Sequence, residues 1–140
     1  MRSLVLSSAL VLSSITAINV LAPVNAAYAE ASVAEHSFVK KDKKIKGGWS
    51  IIQRDGDSYI RFNDDFKTSN GPDLKVFLSP QTIEEVTGKT AIEGAINLGE
   101  LISNKGSQEY KLPADLNASD FKSVLIHCEQ YSKLWGGGAL

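Results

Sequence analysis

Turn-forming residues interrupt this chain at short intervals from Gly47 to its end, and no stretch between them is long enough for a helix to bury a face. Trp49, Ile51 and Ile52 read as one strand and Tyr59, Ile60 and Phe62 as its partner. Between them Arg54-Asp55-Gly56-Asp57 holds an Asp-Gly pair, a strong hairpin signal because glycine accepts positive φ. Asn70-Gly71-Pro72-Asp73 makes a rigid turn, followed by the alternating strand Leu74–Leu78, which Pro80 stops. Thr82–Thr87 has room for one helical turn before Gly88 ends it. Ala95–Leu98, Gln108–Leu112, Ser123–Glu129 and Gln130–Trp135 supply four more short strands, with turns at Asn104-Lys105-Gly106 and Pro113-Ala114-Asp115. This pattern predicts an all-β fold: a single-domain antiparallel β-sandwich or barrel-like sandwich, with no internal repeat.

The N-terminal segment is of another kind. After Met1-Arg2 there is no charge from Ser3 to Val24, and Leu4, Val5, Leu6, Ala9, Leu10, Val11, Leu12 and Ile15 make an apolar run. Pro23 breaks it, and Ala27-Tyr28-Ala29 offers the small residues that a signal peptidase accepts. Ser7, Ser8, Ser13, Ser14, Thr16 and Asn19 dilute the run, which weighs against a permanent anchor. The expectation is a helical signal peptide over 1–29 and an exported protein, periplasmic or extracellular. Contact with the membrane would then occur only through that segment, before cleavage. No cysteine stands directly after the apolar run, so none is placed there for a lipid anchor.

Removing 29 of the 140 residues leaves 111, and the loss of Arg2 moves the formal charge from −1 to −2. A chain of that size buries about two thirds of its surface without disulfides. The near-neutral balance argues against nucleic acid as a partner. Lys40, Lys41, Lys43, Lys44 and Lys46, interrupted by Asp42, form one basic run. It reads as part of a flexible, Lys-rich N-terminal arm over 30–46, ahead of a domain spanning 47–140. Anionic lipid or a wall polymer is the alternative use of those lysines.

Four pieces, in register, resemble a known family. Phe66 to Ser79, with Gly71-Pro72-Asp73-Leu74 at its centre, is similar to the signature of the DM13 domain. Leu98-Gly99-Glu100-Leu101 with Gly106 to Pro113, then Ser123 to Cys128, then Leu134-Trp135-Gly136 through Leu140, resemble that family's later segments in order. The resemblance covers about Gly47 to Leu140. It implies a small extracytoplasmic β-domain with a proposed redox or electron-transfer role through its cysteine. In one departure, His127 stands where the family usually has a tryptophan.

Cys128 is the only cysteine, so no intramolecular disulfide can form. A lone thiol in an oxidising compartment is buried and inert, reactive, paired with another chain, or ligated to a metal or cofactor. Val124, Ile126 and Cys128 share strand parity, while Leu125 and His127 face the other way, so Cys128 and His127 cannot easily meet one substrate atom. His36, the other histidine, falls in the expected arm. No spacing suits a metal ion. Asp55, Asp57, Asp64 and Asp65 read as turn and strand-end solvation, not calcium ligands. Gly71, Pro72 and Asp73 each have a local backbone reason to be there, with Asp73 placed to cap its own turn. Trp49, Tyr110, Tyr131 and Trp135 read as core aromatics or, if exposed together, a binding platform.

Two functions survive. The first is a redox module working through Cys128, with Gly71, Pro72, Asp73, Tyr110, His127, Tyr131 and Trp135 as candidate binding residues around it. The second is a non-catalytic envelope module in which Cys128 is packing. Neither is a classical enzyme. No cofactor motif is present, so a redox ligand would be unseen in the sequence or carried by an envelope partner. A surface polymer is the other candidate partner.

Overall fold

The computed structural model describes residues 35–140; the expected signal peptide and the start of the expected arm lie outside them. Eleven strands follow in order: β1 (Glu35–Ser37), β2 (Val39–Lys40), β3 (Ile45–Lys46), β4 (Gly48–Arg54), β5 (Asp57–Phe62), β6 (Lys67–Thr68), β7 (Leu74–Ser79), β8 (Ile96–Glu100), β9 (Gln108–Lys111), β10 (Ser123–Cys128) and β11 (Lys133–Ala139). Among the described residues the only helix is one 3₁₀ turn at Ala118–Asp120, capped by the Asn117 side chain. The fold is all-β, as expected. One sheet runs β1-β4-β5-β9, a second β2-β11-β10-β7-β8, and β3 pairs with β6 in a small third. Every pairing among the named strands is antiparallel.

The hairpin forms where the Asp-Gly pair places it. Trp49 opposes Phe62 and Arg54 opposes Asp57, leaving a two-residue loop. Asp55 (φ 54°) and Gly56 (φ 83°) are both left-handed there, which matches the twist of the strands they join. Thr82–Thr87 yields a single turn, Val86 N–H to Thr82 C=O at 3.1 Å. The last strand starts later than expected, because residues 129–132 make a tight turn with Ser132 at φ 47°.

The main core lies between the two large sheets. Trp49, Ile60, Phe62 and Tyr110 come from one side and Leu74, Val76, Leu78, Val124, Ile126, Cys128 and Trp135 from the other. A smaller cluster covers the outer face of the second sheet, where Ile83, Val86 and Ala91 of the 80–95 segment lie over Phe77, Leu125 and Leu134. That segment is a strap, and it explains why every residue of β10 is buried.

The reading of 30–46 as an arm outside the domain is corrected over 35–46, which contributes three paired strands. Their anchor is backbone on glycine. A Cβ on Gly136 would sit 2.4 Å from the Val39 carbonyl oxygen, and one on Gly138 2.8 Å from that of Ser37. Only residues without side chains let the N-terminal strands lie that close. His36 is consequently fixed, stacked on Trp49 with ring centroids 4.2 Å apart.

Candidate functional site at Cys128

Cys128 ends β10, opposite Leu74 on β7 and Lys133 on β11. Strand parity turns its side chain inward with Val124 and Ile126, and the sulfur is 0% exposed in an apolar surround. It lies at the rim of the sandwich, because the next residue already leaves the sheet: the Glu129 N–H donates to the Asp73 carbonyl at 3.2 Å.

The Gly71-Pro72-Asp73 turn closes this rim. A side chain on Gly71 would strike Leu74 and Trp135, each 2.9 Å from its Cβ, so glycine lets the turn fold down onto both. Trp135 is held by its indole N–H, which donates to the Ser69 carbonyl at 3.0 Å. Outside the turn is a polar hollow of about 240 Å³ lined by residues 71–74 and 100–104. Leu74 is common to both places: it lines the hollow and opposes Cys128 across the sheet. The Tyr110 hydroxyl supports the far wall, accepting from the Ile102 N–H at 3.0 Å and donating to Gln108 Oε1 at 2.6 Å. Burial pushes that phenol up to about 12, against a smaller downward pull from the Ile102 N–H.

Asp73 does not cap its own turn with its carboxylate. Its Oδ1 lies 3.2 Å from Lys75 Nζ, and the same ammonium contacts Glu129. This bridge ties the start of β7 to the end of β10, with Lys75 standing opposite His127 on the strand parity that faces away from Cys128. Glu129 first, then Asp73, raise the Lys75 ammonium above its usual range.

The structure therefore gathers Cys128, Gly71, Pro72, Asp73, Tyr110 and Trp135 at one end of the sandwich. It leaves two candidates out. Tyr131 is 58% exposed in the turn before β11, so it shares no platform with the buried Trp135. His127 points to the outer face, where Nε2 lies 2.7 Å from the Gly88 carbonyl of the strap and the ring meets Phe77 edge-on. The irregular step at Ile126/His127 in the pairing with β11 does not bring the ring round to the sulfur. Sequence reasoning passed over Lys75 and Glu129, since nothing in a one-dimensional pattern shows that strand ends far apart in the chain meet. No group of three His, Cys, Asp or Glu that could hold a metal exists among the described residues.

The fold and site define a small antiparallel β-sandwich whose one cysteine is buried at its rim, beside a Gly-Pro-Asp turn. A family model described as electron transfer DM13 matches residues 37–138, and the chain belongs to that family. The match begins inside β1, in agreement with the strands found there. No curated protein and no solved structure matches the chain.

Proposed function

We propose that the chain is an exported electron-transfer domain working through Cys128, and that the sulfur is reached from the hollow outside the Gly71-Pro72-Asp73 turn. The observation that carries this is the shared wall: Leu74 alone in sequence both lines the hollow and opposes Cys128. A sulfur with no exposed surface cannot undergo thiol–disulfide exchange as it stands, because another sulfur must approach it directly. Access then requires the wall to give way, and the redox group would be brought by a ligand or a partner protein.

Thiol labelling of the folded domain tests this. The expected result is slow labelling that still outpaces global unfolding, and a faster rate in Leu74→Ala while the domain remains folded. Labelling that tracks global unfolding in both proteins would overturn it. That outcome would establish the second reading, an envelope interaction domain with a structural cysteine, which the complete burial of the sulfur favours. Export is tested separately by intact-mass analysis of envelope-derived protein, with a mature start near Glu30 expected. Recovery of the full-length chain would argue for a retained anchor.

A further inference from the structure

The sheet formed by β3 and β6 carries an arrangement that folding alone does not favour. Lys46 lies directly opposite Lys67, and Lys67 is bridged in turn to Lys105. Three lysines thus stand in a row on neighbouring backbones, which lie about 4.8 Å apart. Like charges facing each other across a sheet are destabilising. Among the described residues four ion pairs form, through Arg54, Lys75 (twice) and Lys111, and none of them involves this row. Lys44, two residues before Lys46, is exposed as well. Asp64 and Asp65 share a second hollow with Lys46 but form no ion pair with it, and Asp65 accepts the Gly48 N–H at 3.1 Å.

Between the lysines the surface is not polar. Lys44, Lys46 and Lys67 rim a groove of about 390 Å³ whose other lining residues are Ile45, Thr68 and Ser69. On the preceding strand Val39 is 52% exposed. An apolar floor inside a charged rim is the anatomy of a protein interface. A linear polyanion asks only for the charges, since counterion release supplies its affinity. The groove also adjoins the Cys128 site. Ser69 lines it and accepts the Trp135 indole N–H, and Lys43 Nζ lies 5.8 Å from the centroid of that ring.

We propose that this lysine row is a docking surface for a protein partner that presents carboxylates around an apolar side chain. Its identification with an electron-transfer partner rests on the function proposed above; the binding itself does not. Complementary charge would steer the encounter, and the apolar floor would set the lifetime of the complex. Trp135 would stand between the docked partner and the core that holds Cys128.

The test is an amide NMR titration of the domain with four probes. They are a short Glu-rich peptide with a Leu-Phe centre, the same peptide with a Gly-Ser centre, long-chain polyphosphate, and phosphatidylglycerol vesicles. The expected result is salt-sensitive binding of the first peptide that shifts the amides of Ile45, Thr68 and Ser69. The Gly-Ser peptide should bind about tenfold more weakly, having no apolar group to bury. Lys67→Glu should weaken the first peptide by about tenfold while raising the Tm of the free domain by a few degrees, because it turns two repulsive cross-strand pairs into attractive ones. Opposite signs for binding and stability would mark the row as kept for a partner. Preference for polyphosphate or vesicles, equal binding of the two peptides, or unchanged affinity in Lys67→Glu would each overturn the proposal. Loss of the docking result alongside the expected Cys128 labelling would leave the electron-transfer reading intact, so the two fail separately.

Discussion

Replacing Cys128 by serine and by alanine reads the polarity of the sulfur site through stability alone. The sulfur is fully buried, and its neighbours in the core are apolar. Serine brings a hydroxyl into that surround, and without a partner this costs about 1–3 kcal/mol. Alanine removes one heavy atom from a packed core, comparable with Ile→Val at about 0.5–1.5 kcal/mol. Serine should therefore be the worse substitution by about 1 kcal/mol, or roughly 4–8 °C in Tm for a domain near 100 residues. Urea unfolding followed by the fluorescence of the buried Trp49 and Trp135 measures both variants in one assay. A serine variant as stable as the alanine variant would refute the argument. It would mean that water or a polar group already reaches the sulfur, and that the wall formed by Leu74 is open in the resting state.

Two further substitutions probe the supports of the site. Tyr110, pushed up to about 12 by burial, favours the folded state while it is protonated; that contribution, about 3 kcal/mol at most, is complete below pH 10 and is lost as pH rises from there to 12. Stability measured across that window should fall more steeply in the parent than in Tyr110→Phe, and equal slopes would contradict the assignment. A Cβ on Gly88 would lie 2.2 Å from the Ser132 carbonyl oxygen, so Gly88→Ala should displace the strap and cost about 1–3 kcal/mol, with hydrogen exchange quickening along residues 80–95. Unchanged exchange in that segment would show that the strap is not held at this point.

Sequence pattern was most informative where the signal is local. Asp55-Gly56 fixed a hairpin because both positions require left-handed backbone, and the parity of Val124, Ile126 and Cys128 put the sulfur on the inner face. It was least informative at 35–46. Lys40, Lys43, Lys44 and Lys46 are exposed and only Phe38 and Ile45 are buried, so the segment lacks the apolar alternation of a core strand. What holds it is the glycine run 136–138, a hundred residues away, and backbone packed on glycine leaves no mark in hydrophobic patterning. The candidate site was partly legible for the same reason. Gly71, Pro72, Asp73 and Cys128 carry motif-like spacing, whereas the bridge from Lys75 to Asp73 and Glu129 exists only once β7 and β10 are side by side.

The departure at His127 becomes intelligible from the two faces of β10. The inner face holds the sulfur, and the outer face holds the strap. His127 is 2% exposed, and since a carbonyl can only accept, Nε2 must carry the proton it shares with Gly88. Nδ1 is buried and has no hydrogen-bond partner among the described residues. A tryptophan at this position would also present an N–H on a flat ring, with more apolar area against Phe77 and no such orphan. His127 thus spans from sheet to strap and donates one hydrogen bond to it. The backbone of β10 separates its ring from the sulfur, which faces the other side of the sheet. A histidine here alters how the outer cover is fastened and leaves the environment of Cys128 to Leu74, Trp135 and the Gly71-Pro72-Asp73 turn.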